Sequence, residues 1–199
     1  MATAAIDKRR VILDAAVRVF AGQGFHTCRV ADIADEAGVA YGLVYHYFSS
    51  KDEILDTLFL ERWDLMLAAI AEADAQQPSP REKLYAIAAF IVDSYRYDPE
   101  LMKVIIVEVT RAANTFGRRH LAKIREAYDQ IGGIVQRAQS EGRFREEIDP
   151  PFAALAFYGL IEQVLSGWIF DAQPLTEREL QHSKALIVDT ICRGLQASA

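Results

Sequence analysis

Three tyrosines and a histidine crowd one short stretch of the chain, residues 41–47, which reads YGLVYHY. Val44 and Phe48 are four positions apart, so on a helix both can face a core while the phenol and imidazole groups point elsewhere. A solvated helix face normally carries Lys and Glu. Phenol and imidazole groups instead donate hydrogen bonds to phosphates, glycine permits close approach, and leucine can contact a thymine methyl. The pattern predicts a face that lies against nucleic acid.

A second short helix is predicted immediately before this face. In the stretch VADIADEA, apolar residues recur at helical spacing, namely Val30, Ile33, Ala34 and Ala37. Gly38 can adopt the left-handed conformation that ends a helix, and Val39 is placed to fill the corner between the two helices. Two helices joined in this way form a helix-turn-helix, whose partner is double-stranded DNA. The alternative is a helical lipid-binding or protein-interaction protein in which the corner is only architectural.

The helix that follows the aromatic face is predicted to begin at a capping box. Ser50 and Glu53 are spaced to satisfy each other's free amide groups. Lys51 then lies in the first turn, where the positive end of the helix dipole already favours a phosphate oxygen. We therefore expect Lys51 to contact the DNA backbone.

These residues also carry a family resemblance. The N-terminal part of the chain resembles the DNA-binding domain of the TetR family of bacterial transcriptional regulators in the stretches FAGQGF (20–25), IA (33–34), AGV (37–39) and GLVYHYF (42–48), and in Lys51 followed by Ile54 and Leu55. The resemblance implies an all-α fold. Residues 1–50 would form the helix-turn-helix domain and residues 51–199 a helical ligand-binding and dimerisation domain, with the helix from residue 51 connecting the two. It also implies a repressor that an effector releases from DNA.

By this resemblance, residues 41–47 are the recognition helix. The implied DNA-binding residues are Tyr45, Tyr47 and Lys51 on the phosphate backbone, and Tyr41, Gly42, Leu43 and His46 near the bases. Family members often have Ser or Thr where this chain has Ala40 and Arg29. Because alanine cannot cap a helix with its side chain, the recognition helix is expected to fray until DNA binds. Arg29 is expected to reach a phosphate, with Thr27 or Cys28 as the capping residue, and Thr27 is included in the DNA-binding set.

The charge balance divides unevenly along the chain. The 199 residues carry a formal net charge of -6, which argues against non-specific binding to nucleic acid. Residues 1–51 have six basic and five acidic side chains, so the acidic excess lies in the remainder. Basic residues at positions 8–10 can meet phosphates without making the whole molecule adhere to DNA; a solvated helix start explains them equally well.

Enzymatic and extracellular functions find little support in the sequence. The four histidines and two cysteines show no metal-ligand spacing, and neither a phosphate-binding glycine loop nor a recognisable nucleophile context is present. We therefore expect no catalytic activity, no metal and no cofactor. Two cysteines far apart in sequence indicate a reducing compartment, the cytoplasm. The absence of a signal-peptide run and of a long uncharged apolar stretch predicts no contact with a membrane.

Beyond residue 50 the sequence reads as helices separated by capping residues. One helix is predicted from Lys51 to residue 76, another from about residue 116 to residue 140, and a last one from the capping box at residues 176–179 to about residue 195. Proline follows Ser or Asp at residues 79–80, 98–99 and 149–150, which predicts three further helix starts. No sustained alternation typical of strands is visible.

Residues 151–170 are apolar on nearly every face and must be covered on most sides. The family resemblance implies that this helix and the last one form a four-helix dimer interface. The predicted interface residues are Phe157, Leu160, Val164, Ile187, Ile191 and Leu195. Dimerisation would place two recognition helices about 34 Å apart, on successive major-groove faces of a pseudo-palindromic site. The alternative is a helix buried entirely within a monomer.

The resemblance further implies a small-molecule pocket between the remaining helices. The predicted lining is Phe90, Met102, Ile105, Ile106, Phe116, Phe157, Ile161 and Trp168, although ordinary core explains most of these residues better. Arg111, Arg118, Arg119 and Lys123 gather around a helix start, where an anion would relieve the conflict of cations with the helix dipole. An apolar interior beside a basic patch suggests an amphipathic effector such as a fatty acyl-coenzyme A. The alternative for the basic residues is a solvated, salt-bridged surface.

Overall fold

The computed structural model describes residues 7–108, 118–171 and 176–195, and within these ranges the chain is helical with short connections. In chain order the helices are α1 (Lys8–Gln23), α2 (Val30–Ala37), α3 (Tyr41–Tyr47), α4 (Lys51–Gln76), α5 (Pro80–Tyr97), α6 (Pro99–Lys103), a π-helical turn (Val104–Glu108), α7 (Arg118–Ser140), α8 (Pro150–Asp171) and α9 (Glu177–Leu195). The expected all-α class is confirmed.

The chain forms two compact units. The first comprises residues 1–61 and 100–115, and the second residues 62–99 and 116–199. The boundary lies inside α4, beyond the division predicted at residue 50. Ile54, Leu55 and Leu58 of α4 explain the difference, because they are buried in the same core as α1 to α3.

The first unit is a small helical core closed by a segment from later in the chain. Ile12 and Phe20 of α1, Ile33 of α2 and Val44 of α3 are at most 1% exposed in that core. Val104 from the π-helical turn is fully buried among them. Next to it, the Lys103 ammonium donates to the carbonyl of Ala21 near the end of α1 at 2.7 Å. Residues 100–108 therefore pack with the helix-turn-helix as part of the first unit.

The turn between α2 and α3 has the predicted geometry. Gly38 adopts a left-handed conformation with φ of 62°, which lets the chain reverse at the end of α2. The amide of Val39 then donates to the carbonyl of Ala34 at 3.0 Å, and the Val39 side chain packs against the core. The corner between the two helices is filled as expected.

The second unit is a bundle in which α7 packs on α8, and α9 packs on α5 and α8. Its buried residues include Leu84 and Ile87 of α5 and Ile131 of α7. A buried ion pair also joins two of these helices, because the ammonium of Lys184 on α9 lies 2.6 Å from a carboxylate oxygen of Asp93 on α5. Lys184 is only 3% exposed, and the Asp93 carboxylate offsets the cost of burying its ammonium.

Most of the predicted helix starts are present. Ser79 accepts a hydrogen bond from the Glu82 amide at the start of α5, with Pro80 in the first turn. Thr176 and Glu179 form a reciprocal capping box, since each side chain accepts from the other residue's amide. The predicted helix over 116–140 is described from Arg118 and ends, as expected, before Gly142, whose φ is 67°.

Helix α8 combines a buried side with an exposed apolar one. Residues 150–170 have a mean hydropathy of 1.4 and enough length to cross a bilayer, which the sequence expectation did not anticipate. One helix of this composition does not identify a membrane protein, because an interface helix between subunits looks the same. Its exposed apolar residues and one from α9 are here called the outer stripe: Phe152, Leu155, Phe170 and Leu186.

Candidate functional site

The aromatic face of α3 is exposed to solvent. Tyr41 is 53% exposed, Tyr45 45% and Tyr47 37%, whereas Val44 on the opposite side is fully buried. Gly42 and His46 are also exposed, and Leu43 is half-buried. Helix α3 therefore presents the predicted set of hydrogen-bonding and apolar groups outward, as a helix that enters a DNA groove must.

Two of the tyrosines form a preorganised pair. The hydroxyl oxygens of Tyr41 and Tyr45 are 3.2 Å apart, and their rings meet edge to face with centroids 5.1 Å apart. The hydrogen bond to Tyr41 is the main cause that raises the pKa of Tyr45, so this hydroxyl remains a donor at neutral pH. A neutral phenol that is already held in place can donate to a phosphate oxygen with little ordering cost.

A concave groove lies beside this pair. It has a volume of about 490 Å³ and is lined by Cys28, Arg29, Val30, Ala31, Tyr41, Tyr45, Ser49, Ser50, Lys51 and Asp52. The first residues of α2 and of α4 both contribute to its wall, so two helix N-termini supply partial positive charge there. The groove brings together two hydroxyl-bearing tyrosines, an arginine and two helix starts, which is a suitable receptor for a phosphodiester backbone.

Arg29 occupies the capping position of α2 itself. Its amide donates to the carboxylate of Asp32 at 2.7 Å, and its own side chain caps no amide. The expectation that Thr27 or Cys28 caps this helix is therefore wrong: the Cys28 thiol is buried and donates to the carbonyl of Phe25. Thr27 and the Arg29 side chain are both exposed, so the guanidinium remains available at the groove.

The Lys51 ammonium is held by the protein's own backbone. It donates to the carbonyl of Phe25 at 2.6 Å and to that of Cys28 at 3.1 Å, and it lies 4.7 Å from the centre of the Phe25 ring. These contacts fasten the start of α4 to the loop that precedes α2. The sequence predicts that Lys51 contacts a phosphate, but its ammonium already donates to two backbone carbonyls. We therefore propose that Lys51 positions the groove wall.

The helix starts around the groove differ in how they are capped. Ala40 provides no side-chain cap for α3, as expected from its methyl group. At α4, Ser50 accepts from the Glu53 amide at 3.2 Å, but the Glu53 carboxylate bonds Ser49, through both its amide and its hydroxyl at 2.6 Å. The predicted reciprocal box between Ser50 and Glu53 is thus shared among three residues, with Ser49 as the donor to the carboxylate.

The basic residues at the start of α1 are engaged within the chain. Arg9 pairs with Glu61 at 2.8 Å and lies over the ring of Phe48, and Arg10 pairs with Asp14 at 2.8 Å. Their expected role at phosphates would require these exposed pairs to open, which costs little.

The residues predicted to line a ligand pocket divide between the two units. Met102, Ile105 and Ile106 lie in the first unit, and Phe116 lies outside the described residues. In the second unit Phe157 and Ile161 are at most 1% exposed, and Trp168 packs its ring against Tyr95 with centroids 5.6 Å apart. Phe90 is half-buried and lies under a guanidinium.

A polar cluster in the second unit was missed by sequence reasoning. Arg62 is only 9% exposed and stacks on Phe90, with 4.6 Å from the guanidinium carbon to the ring centre. Nearby, the rings of Tyr128 and Tyr158 meet with centroids 5.6 Å apart, and burial raises the pKa of both tyrosines. Burial also raises the pKa of Glu162. Arg62 lies three residues after Phe59 and four before Met66, and both of these are buried. Helical periodicity therefore places Arg62 on the buried face of α4, which is the signal that the sequence offered.

The predicted anion-binding cluster is only partly visible. Arg111 and the side chains of Arg118 and Arg119 lie outside the described residues. Lys123 is half-buried, and its ammonium forms an ion pair with Asp64 of α4.

The predicted dimer-interface residues do not share one exposed face. Phe157 and Ile187 are 1% and 3% exposed, because they pack inside the chain's own bundle, which leaves them no surface to offer a second copy. Leu160, Val164 and Ile191 are half-buried, and the side chain of Leu195 lies outside the described residues. Among the described side chains of α8 and α9, the large exposed apolar groups are instead those of the outer stripe.

An exposed recognition helix, a left-handed corner and a groove between helix starts define a helix-turn-helix DNA-binding protein. The family model for bacterial regulatory proteins of the tetR family matches residues 12–58, and the model for the tetracyclin repressor-like C-terminal domain matches residues 80–191. The chain belongs to the TetR family and is a ligand-responsive, DNA-binding transcriptional repressor. The architectural alternative for the helix-turn-helix is not supported.

The similar proteins include regulators of lipid metabolism. The chain is 31% identical to the fatty acid metabolism regulator protein of Bacillus subtilis over 81% of this chain and 84% of that protein. It shares 26% identity and a TM-score of 0.82 with the fatty acid degradation regulator FadR of Bacillus halodurans, over 98% of this chain and 100% of that one. The structure of FadR from Bacillus subtilis in complex with stearoyl-CoA gives a TM-score of 0.79 at 26% identity, over 94% and 99% of the two chains.

Proposed function

We propose that the chain acts as a dimeric repressor that binds a two-fold symmetric DNA site and is released by a fatty acyl-coenzyme A. One observation carries the DNA-binding part of this proposal: the exposed aromatic face of α3 adjoins a groove formed by the starts of α2 and α4. The helix supplies groups that can read base edges, and the groove supplies positive potential for the backbone on either side.

The outer stripe supports dimerisation. Phe152 is 64% exposed, Leu155 53%, Phe170 75% and Leu186 50%, and contact with a second copy would remove these apolar side chains from water. Helix α8 is exposed along one side only, and Gly159, Gln163 and Gly167 share that side. Glycines allow a second helix to approach closely. A lipid-facing helix would carry an apolar side chain in place of Gln163. We assign the stripe to a second copy of the chain and infer no membrane contact.

The effector assignment rests on similarity and on the chemistry of the second unit. Two of the similar proteins regulate fatty acid metabolism, and a FadR was determined with stearoyl-CoA bound. The second unit contributes a largely apolar and aromatic interior that suits an acyl chain, and we assign Lys123, in the second turn of α7 and paired with Asp64, to the phosphate-bearing head. The cytoplasm is the compartment that holds both the DNA and such thioesters.

Release from DNA requires that the effector favour one of two spacings of the recognition helices. Residues 100–108 offer a route for this coupling. They follow α5 of the second unit in the chain, yet Lys103 and Val104 pack against α1 in the first unit. A ligand that shifts this segment would act directly on the DNA-binding core.

An electrophoretic mobility shift titration tests the proposal. A DNA duplex selected from a genomic fragment library by the purified protein is titrated with protein alone, with palmitoyl-coenzyme A, and with coenzyme A as the control. Binding of a two-fold site as a dimer, and release by the acyl thioester alone, are expected. Failure to select any DNA at modest salt would contradict the DNA-binding part, and equal release by coenzyme A would contradict the acyl part.

A further inference from the structure

Arg62 is a buried cation in the interior of the second unit. It lies on α4 and is 9% exposed, and its guanidinium stacks on the ring of Phe90 from α5 at 4.6 Å. Desolvation lowers the pKa of the Arg62 guanidinium, opposed by the neighbouring Tyr158, but an arginine stays charged at neutral pH. The positive charge is therefore present inside the unit.

No carboxylate pairs with this charge among the side chains that the structure describes. The three other half-buried or buried lysines that the structure describes in this unit all have partners: Lys83 pairs with Asp74, Lys123 with Asp64 and Lys184 with Asp93. Within the described ranges, the neighbours of the Arg62 guanidinium are the face of Phe90 and the polar side chain of Tyr158. A buried guanidinium presents five N–H donors in a planar fork, and an aromatic face satisfies none of the in-plane donors.

The purely structural explanation for such a residue is weak. A buried, unpaired charge destabilises a fold, and a methionine or leucine would fill the same position without that cost. Arg62 can instead be understood as half of an ion pair whose other half none of the described side chains supplies. Buried charged residues with shifted pKa values are typical of binding sites.

The chemistry of the missing partner follows from the shape of the donor. A guanidinium fork binds two oxygens of one planar or tetrahedral anion, as in carboxylate and phosphate groups, and does so more strongly than an ammonium. The surroundings are aromatic, with Trp63 against Tyr158 and Tyr128 against Tyr158, at centroid distances of 5.7 Å and 5.6 Å. An anionic oxygen group attached to an apolar body fits this environment.

We propose that Arg62 binds the anionic oxygen group of the effector and thereby selects acidic over neutral amphiphiles. This inference rests on the proposed function only in assuming that the second unit binds the effector. The anion is the carboxylate of a free fatty acid or a phosphate of its coenzyme A thioester, and direct binding measurements distinguish the two.

The test measures binding to the full chain without DNA, by the intrinsic fluorescence of Trp63 and Trp168, both in the second unit. The probes share one chain length: dodecanoate, dodecanoyl-coenzyme A and dodecanol. Wild type is compared with Arg62→Met, which keeps the volume but loses the charge, and with Arg62→Lys, which keeps the charge but loses the fork. Arg96→Met is the matched control, since Arg96 is exposed, pairs with Glu177 and lies over the Tyr97 ring.

Arg62→Met should weaken binding of at least one anionic probe by about tenfold or more and leave dodecanol binding unchanged. Arg62→Lys should give an intermediate loss, and Arg96→Met none. The unliganded Arg62→Met protein should melt at the same temperature as wild type or higher, because an unpaired buried charge has been removed. Loss with dodecanoate identifies a carboxylate, and loss with the thioester alone identifies a phosphate.

Three results would overturn the inference: no anionic probe binds wild type, Arg62→Met weakens dodecanol and the anions equally, or Arg62→Met lowers the melting temperature by several degrees. The last would show a structural role for Arg62. If Arg62 binds dodecanoate in a protein that acyl-coenzyme A does not release from DNA, that result would support this inference and contradict the proposed effector. Failure of the inference and failure of the proposed function are therefore distinguishable.

Discussion

The Lys51 ammonium lies 2.6 Å from the carbonyl oxygen of Phe25, across a separation of 26 residues in the chain. A second carbonyl, that of Cys28, accepts from the same ammonium at 3.1 Å. The first turn of α4 is thereby joined to the loop that leads into α2, and these two helix starts form the wall of the groove beside α3. Lys51 thus sets the shape of the DNA-binding surface.

Replacement of Lys51 by Met should lower both stability and DNA affinity. Hydrogen bonds from a charged donor contribute roughly 1.5–3 kcal/mol, so the melting temperature should fall by about 3 °C or more. DNA affinity should fall alike for all sequences, because the groove wall loosens. The number of phosphates that the protein neutralises should not change, so the slope of log affinity against log salt concentration should stay the same.

Calorimetry and salt-dependent DNA titrations check this, with Lys8→Met, an exposed lysine on α1, as the stability control. A salt slope smaller by about one, with an unchanged melting temperature, would instead place the Lys51 ammonium on a phosphate.

Tyr45→Phe should weaken binding to every DNA sequence by a similar factor. The substitution removes one hydroxyl, which is bonded to Tyr41 at 3.2 Å and faces the groove, and keeps the ring. A lost hydrogen bond corresponds to about 1 kcal/mol, or roughly fivefold in affinity.

Leu43→Ala should instead change which sequences are selected, because an apolar contact with thymine is a base contact. Selection from a randomised duplex pool by both variants separates these outcomes; an altered preference in Tyr45→Phe would show that this residue reads bases.

Ala40→Ser should stabilise the start of the recognition helix. Ala40 has φ of -64° and ψ of 138°, the extended conformation of a capping residue, but its methyl group accepts no hydrogen bond. A serine hydroxyl there should contribute about 1 kcal/mol and raise DNA affinity if α3 frays in the free protein. Ser50→Ala deletes the existing cap of α4 and should instead destabilise the start of that helix. Hydrogen exchange of the α3 amides is the direct measurement, and unchanged protection in Ala40→Ser would contradict fraying.

The parts of the fold that were predictable are those encoded by neighbouring residues. Gly38, the cap at Ser79 and the box at Thr176 act within a few positions, so their types and spacing were sufficient. The aromatic face of α3 was readable for the same reason.

The features that could not be predicted depend on which helices pack against each other. Helix α8 is apolar on nearly all faces, so its sequence does not reveal that Phe157 is buried and Phe152 exposed. The contact of Lys51 with Phe25 and the stacking of Arg62 on Phe90 join distant segments, and no local pattern encodes them.

Leu155→Glu should convert the proposed dimer to a monomer. Leu155 is 53% exposed on the outer stripe, and a carboxylate buried between two subunits would lack a partner. Loss of the second recognition helix should then reduce affinity for a two-fold DNA site by about a hundredfold or more. Leu65→Glu is the control, because Leu65 is 58% exposed but lies on α4 and not on either helix of the stripe. Sedimentation velocity measures the mass of each variant; a dimeric Leu155→Glu protein would show that another surface joins the subunits.

Glu162→Gln should stabilise the protein in a pH-dependent way. Burial raises the pKa of Glu162 on α8 above its ordinary value near 4.3. Below that ordinary value the carboxyl is protonated in both folded and unfolded chains and costs nothing. Above the raised pKa it is ionised in both, and the half-buried charge destabilises the fold. Wild type should therefore lose stability relative to Glu162→Gln as the pH rises through this window.

Glu179→Gln provides a control of opposite sign, because the hydrogen bonds from the Thr176 amide and hydroxyl lower the pKa of Glu179. That carboxylate stabilises the fold above its ordinary pKa, and its contribution disappears as the pH falls through its lowered value. Melting temperatures at pH 4 and pH 8 should show a gain for Glu162→Gln that is larger at pH 8, and a loss for Glu179→Gln that is also larger at pH 8. The same difference from wild type at both pH values for Glu162→Gln would mean that its carboxyl keeps an ordinary pKa, and hence that the polar cluster around Tyr158 is open to water.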